Sequence, residues 1–469
     1  MTKELFTNLA QAAIHYRETL PQLPVGVSAS RDELMSRVNT ALPDEGEAPE
    51  TAIQTLIASV EHGLVNSASS RYFGFVVGGA TPVSVAADWL TSVWNQNAQV
   101  YTTSPAASII EDVVAHWLLE LLALPQAAGV GFVTGTQMAN FTALTIARNV
   151  MLQKYGWDIE ADGLPGSPHL NIICGECCHA TIHSAIRLMG LGTKNIRSVP
   201  ADGEGRMQLE AFRETLESCA GPTIVCVQAG NVNTGAFDPI AGIIALTKKR
   251  HGWVHVDGAF GLWASVSPRF KHLVTGVEEA DSWATDAHKW LNVPYDSGMV
   301  IVRSPEAHRH LKTVRCAYAG PTNTSCRDGS HWVPENSRRA RGFVLYAALR
   351  NLGKQGVRYL VENCCDLAQA FASELTRLPN VRILNQVVLN QVLCRIEPPD
   401  IADGDAFNAS LAARLQQAGI CWMGTTQWRS QTALRISVSN WATTRADVQQ
   451  SIESLVNSIG EELAVFCSA

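Results

Sequence analysis

Thr223-Ile-Val-Cys-Val-Gln228, then Pro239-Ile-Ala-Gly-Ile-Ile-Ala-Leu-Thr-Lys-Lys-Arg250, then Trp253-Val-His-Val256 leading into Asp257: these three segments decide the fold. The first and third are short, near-continuous apolar runs. The second repeats its apolar residues at helical spacing. Strands that are apolar on both faces, with a helix between them, belong to a mostly parallel sheet covered on both sides.

The alternation extends outwards. Further apolar runs lie at 129–133, 170–174, 196–199, 281–284 and 299–302, with helical patterns at 137–155 and 209–218. Ahead of them the chain reads as helices joined by proline-containing loops. Ile53, Leu56, Ile57 and Val60 mark one amphipathic face, and Pro82 and Pro105 each open a helix in its first turn. Residues 305–345 are irregular and polar. Helix and strand patterns then alternate again to the C-terminus. The expected division is an N-terminal helical segment (1–85), a large domain (86–345) with a mobile loop at 313–335, and a smaller C-terminal α/β domain (346–469).

Bulk properties exclude some functions. A net charge of −7 over 469 residues argues against a nucleic-acid or anionic-membrane partner. The longest apolar runs fall far short of the ~20 residues of a membrane span. Met1-Thr-Lys-Glu-Leu5 has no secretory pattern, so the expectation is a cytoplasmic protein. Twelve cysteines in so long a chain make no disulfide framework. In Cys174-Gly-Glu-Cys177-Cys178-His179, zinc would need a second ligand pair, and none follows at similar spacing. Haem attachment would need Cys-x-x-Cys-His, which this stretch misses by one residue. Between a redox pair and a reduced strand end leading into a functional His, the second is favoured, and no metal is expected.

Parallel sheets place ligands at the carboxyl ends of their strands, so those positions carry the information. After the first strand, Thr134-Gly-Thr-Gln-Met-Ala-Asn140 runs into a helix and offers free N–H groups suited to a phosphate. It lacks the Lys of a nucleotide loop and the three glycines of a dinucleotide fingerprint. His179 follows the second strand, Asp257 ends the fifth, and Asp286-Ala-His288-Lys289 follows the sixth. Singly, each has an ordinary explanation: a lone His is usually a satisfied core or surface residue, an Asp after a strand is usually a cap, and a Lys is usually solvated. Together at one sheet edge they are the parts that pyridoxal 5′-phosphate (PLP) chemistry needs. Lys289 would form the Schiff base, Asp257 would keep the pyridine nitrogen protonated, His179 would stack on the ring, and Thr136 and Gln137 would cradle the phosphate.

These motifs, with Gly230-Asn-Val-Asn-Thr234-Gly-Ala-Phe-Asp238 and His288-Lys289-Trp290, resemble the PLP-dependent group II amino-acid decarboxylases, which include the aromatic-L-amino-acid, tyrosine, histidine, glutamate and 2,4-diaminobutyrate enzymes. The likeness covers nearly the whole chain. Arg71-Tyr-Phe-Gly-Phe75 resembles the family's active-site entrance, and Ser104-Pro-Ala-Ala-Ser108 its Ser-Pro-Ala stretch. Ser337-Arg-Arg-Ala-Arg341 resembles the basic run after its mobile loop. The resemblance implies an α/β fold of the aspartate-aminotransferase type (fold type I), working as a homodimer with active sites at the interface. It adds Thr234, Ala259, Asp286 and His288 to the cofactor set, and Phe75, Val76 and Arg435 to the substrate set. Tyr318, in Cys316-Ala-Tyr-Ala-Gly320, matches the loop tyrosine that acts in the partner subunit's site. Gly258 stands where many relatives have Ala, which implies altered packing under the ring. Phe75-Val-Val-Gly78-Gly79 lacks the Tyr-Phe-Pro-Thr run of the aromatic branch, so aromatic specificity does not carry over.

The implied reaction is decarboxylation of an L-amino acid to its amine and CO₂. One alternative keeps PLP and changes the outcome, to oxidative decarboxylation and deamination or to transamination; Tyr318 argues against the aldehyde route. The other is a catalytically silent PLP-binding protein, against which every expected catalytic residue type is present.

Overall fold

The computed structural model describes residues 2–309, 311 and 326–468. By contact these fall into two units, Ala80–Asp366 with Asn385–Gln391, and Met1–Gly79 with Leu367–Leu384 and Val392–Ala469. This grouping pairs the N-terminal helices with C-terminal residues instead of leaving them as a segment of their own.

The larger unit is built on seven strands: β1 (Gly129–Val133), β2 (Asn171–Gly175), β3 (Ile196–Val199), β4 (Thr223–Gln228), β5 (Trp253–Asp257), β6 (Ser282–Asp286) and β7 (Gly298–Val302). Their order is β1-β7-β6-β5-β4-β2-β3. All strands except β3 are buried along their whole length, as their apolar runs require. β2 to β6 pair in parallel, while β7 runs antiparallel to both β1 and β6. The reversal has a local cause. Residues 287–297 return the chain directly from β6 to β7, without the crossover helix a parallel neighbour needs. Helix α1 (Thr136–Lys154) packs against β5, β6 and β7, and α2 (Ala180–Leu188) packs on α1. Ala139, Ala143 and Ile146 of α1 share a core with Ile172, Ile224, Ala284 and Val300 of the sheet. On β4 and β5 rests α4 (Ile240–Lys249), which follows α3 (Leu209–Glu217) in the chain.

This topology sets out the site. β1 reaches its end beside the start of β7, where Val133 pairs Gly298, and Asp286 pairs Gly298 from the other side. A Cβ on Gly298 would lie 2.5 Å from Gly135 Cα, so only glycine lets the turn after β1 close onto this edge.

The smaller unit holds a sheet of order β10-β11-β9-β8, from β8 (Val381–Ile383), β9 (Gln391–Ile396), β10 (Gly424–Trp428) and β11 (Gln431–Ser437). The helix Gly404–Ala418 packs on β11 and on the helix Arg445–Ser468. The expected apolar face of the helix Pro49–Val60 is present, but none of it is buried within the chain, and Leu56 and Ile57 are exposed. No helix among the described residues is long and apolar enough to cross a membrane.

Candidate active site

Asp257 ends β5 as a buried carboxylate, with both oxygens occupied. Oδ2 accepts from Asn140 Nδ2 at 3.1 Å, and Oδ1 accepts from the Ala259 N–H at 3.3 Å. Asn140 is wholly buried one turn into α1 and acts as a hub. Its amide also donates to Thr181 Oγ1 (3.1 Å), and its oxygen meets His255 Nε2 (2.9 Å). These partners fix the protons. With Asn140 Nδ2 turned to the carboxylate, its oxygen must accept, so His255 carries hydrogen on Nε2. His255 Nδ1 then accepts from the Ser282 hydroxyl at 2.9 Å, and Ser282 in turn accepts from Trp253 Nε1 at 2.9 Å. The result is a one-way relay of donors, from Trp253 through Ser282, His255 and Asn140 to Asp257.

The other arm of the hub reaches His179. This residue is the N-cap of α2, its Nδ1 accepting from the Thr181 N–H (3.3 Å) and lying 2.9 Å from Thr181 Oγ1. Asn140 therefore positions both the expected ring-stacking residue and the expected partner of the pyridine nitrogen.

At the end of β6, Asp286 organises a second cluster. Its Oδ1 accepts from the Thr136 N–H at 2.7 Å, and its Oδ2 lies 2.9 Å from Lys289 Nζ and 3.6 Å from His288 Nε2. Burial alone would raise this carboxyl, but Lys289, His288 and the bonds from Thr136 and Lys289 hold it below the usual range. Burial pushes His288 down in spite of Asp286, and its Nδ1 accepts from the Ser297 N–H at 3.1 Å. Two hydroxyls tied to this cluster, Thr136 Oγ1 and Ser297 Oγ, are buried without a hydrogen-bond partner. Buried donors are normally satisfied, so Thr136 at a helix start and Ser297 just ahead of β7 are suited to a phosphate. The residues present fit PLP.

Burial also sets an acid limit on this unit. His255 and His308 are both held at about 3, so both are neutral in the fold. The unfolded chain protonates them near their ordinary value of ~6.5. Stability is therefore full above pH ~6.5 and declines as pH falls from there through about 3. The urea midpoint of the protein is expected to be lower at pH ~5 than at pH ~7.5. Equal midpoints would mean that neither ring is buried neutral.

A model of the family described as the pyridoxal-dependent decarboxylase conserved domain matches residues 32–397. The chain belongs to this family. It is a PLP-dependent amino-acid decarboxylase, and so a lyase. Among curated relatives, the Bacillus atrophaeus aromatic-L-amino-acid decarboxylase is 25% identical over 96% of this chain and 94% of its own. A human acidic amino acid decarboxylase is 26% identical over 81% of this chain and 74% of its own. The crystal structure of Oryza sativa TDC with PLP and tryptamine superposes with a TM-score of 0.91 at 23% identity, covering 98% of each chain. The decarboxylase fold is thus the expected fold type I.

Of the residues expected at this decarboxylase's site, the larger unit brings together Thr136, His179, Asp257, Ala259, Asp286, His288 and Lys289 on one sheet edge, with Gln137 half-buried in the first turn of α1. Thr234 departs from expectation. Its hydroxyl donates to the Glu204 carbonyl at 2.7 Å and accepts from the Ala236 N–H at 3.2 Å, so in this structure it ties its loop to the Glu204 turn. At Gly258 an added Cβ would lie 2.7 Å from Leu262 Cβ, so glycine there lets this turn pack against Leu262. Phe75, Val76 and Arg435 belong to the smaller unit, where the Arg435 guanidinium lies 5.9 Å from the Phe75 ring centroid. Phe75 and the β-branched Val76 take φ of 52° and 58°, strained values for residues with a Cβ. Tyr318 lies outside the described residues. Asn140 and Ser297 were missed. Each is a polar residue of ordinary type, and only its burial gives it away.

Proposed function

We propose that the chain converts an L-amino acid to its amine and CO₂, with Lys289 carrying the cofactor covalently through Nζ. The reading rests on Asp257 and Lys289 lying at the ends of paired strands β5 and β6, each held by a dedicated hydrogen-bond set. When bound, PLP supplies the electron sink for the pair released at Cα as CO₂ leaves. Asp257 holds the proton on the pyridine nitrogen, its charge supported by Asn140 and Ala259. His179, Thr136, Gln137 and Ser297 fix the ring and the phosphate, so the bond to be broken is set by position. Arg435 is the proposed contact for a substrate carboxylate, with Phe75 and Val76 walling the side chain. A second copy of the chain completes the enzyme. Exposed Leu56 and Ile57 on one helix, and Trp89, Leu90, Val93 and Trp94 on another, are the apolar surface it would cover.

Tyr318, from that second copy, delivers the proton to Cα. Tyr318→Phe keeps the ring and removes only the acid. CO₂ release should continue while amine falls and, in air, aldehyde and ammonia appear with hydrogen peroxide, dioxygen taking the electron pair that the proton would have claimed. Mixed with Lys289→Ala subunits, the variant should regain some amine formation. Unchanged amine yield from Tyr318→Phe would exclude it as the acid. No rescue after verified subunit exchange would exclude action across a dimer.

A further inference from the structure

The cysteine stretch that ends β2 has an unforeseen third member. Cys178 Sγ lies 3.4 Å from Cys174 Sγ and 3.3 Å from His183 Nε2, and all three ligand atoms fall within 4.8 Å of one another. Cys174 is on β2, Cys178 in the turn, and His183 one turn into α2, so the second ligand type comes from the helix and not from another cysteine pair. We propose that Cys174, Cys178 and His183 form a binding site for a soft divalent metal ion of the Zn(II) class.

The geometry and the chemistry of the three ligands support it. Zinc bonds of ~2.3 Å to sulfur and ~2.0 Å to imidazole nitrogen, at tetrahedral angles, put ligand atoms about 3.5–3.8 Å apart. The two separations above need only small side-chain adjustments to reach that range. Two sulfurs and one imidazole select zinc-like ions over magnesium or calcium, which take oxygen. Two thiolates with a divalent ion also sum to no net charge, which suits a site whose first ligand is buried. His183 is exposed and provides the entry path. A disulfide between the two cysteines would leave the approach of His183 unexplained. A metal here would tie the end of β2 to the first turns of α2, the helix that His179 caps.

The test is metal titration of the reduced, PLP-loaded full chain. Co(II) is expected to bind with one equivalent and give the intense d–d bands of a tetrahedral thiolate site, to the red of the cofactor's absorbance. Zn(II), followed by competition with a chromophoric chelator, should displace it. His183→Ala, an exposed change that leaves the fold standing, should weaken binding at least ~10-fold. His183→Cys, which returns a soft ligand, should recover it. Only weak, octahedral-type Co(II) bands, or equal affinity in wild type and His183→Ala, would overturn the proposal.

Discussion

Lys289→Ala is expected to leave no measurable turnover, and no cofactor that borohydride can fix to the chain. The second readout decides the matter. Thr136, Ser297, His179 and Asp257 are untouched by the change, so PLP should still bind without a covalent bond. Activity could fail for several reasons, whereas loss of the adduct with cofactor still bound places the attachment at Nζ. Removing the ammonium also strips Asp286 of its nearest cation, 2.9 Å away. The carboxyl of Asp286 should then titrate higher in the variant, since burial raises it and Lys289 opposes that. Near wild-type turnover in Lys289→Ala would overturn the assignment.

Asp257→Asn should cost ~10²-fold or more in kcat, comparable to losing one preorganised electrostatic contact. The structure gives this change a particular severity. Both carboxylate oxygens accept from N–H groups, one from Asn140 and one from Ala259. An asparagine must turn its own NH₂ toward one of them, setting donor against donor. Relief by flipping Asn140 would break its bond from His255 and run back along the relay. The variant should therefore lose the charge and disturb His179 through the shared hub. A loss of tenfold or less would make Asp257 a structural acceptor only.

How much of this was legible in the sequence depended on the kind of signal. Six of the seven strands of the larger unit were readable because a strand buried on both faces is largely apolar, the half-exposed β3 carrying only Ile196 and Val199 as its signal, and the strand ends then pointed to Asp257, His179 and Lys289. Direction was not readable: β7 is as apolar as its neighbours, and its reversal follows from the short return after Lys289. β10 carries no apolar signal in the sequence, since Gly424-Thr-Thr-Gln-Trp428 has three polar residues in a row. Its turn, Arg429-Ser430 at φ of 50° and 63°, uses none of the residues that normally announce a hairpin. Asn140 was missed because an asparagine in a helix carries no chemistry by type. His183 was not legible as a ligand because zinc-binding spacing is normally announced by a second cysteine pair, and here the helix after the turn brings a histidine instead.

The antiparallel seam between β1 and β7 also bears on how the enzyme is made. The turn that would hold the phosphate follows β1, near the start of the larger unit, while Asp286 and Lys289 stand just before β7. These two ends of the site meet only when β1 and β7 pair, and every other strand of the sheet lies between them in the chain. Closing so long a loop is slow, since its entropy must be overcome before the contact forms. During synthesis, a ribosome-bound chain cut short before Gly298 has the lysine but no edge against which to set it. Cofactor capture should therefore come late in biogenesis, as a seal on an assembled sheet, and PLP cannot serve as the nucleus around which it forms.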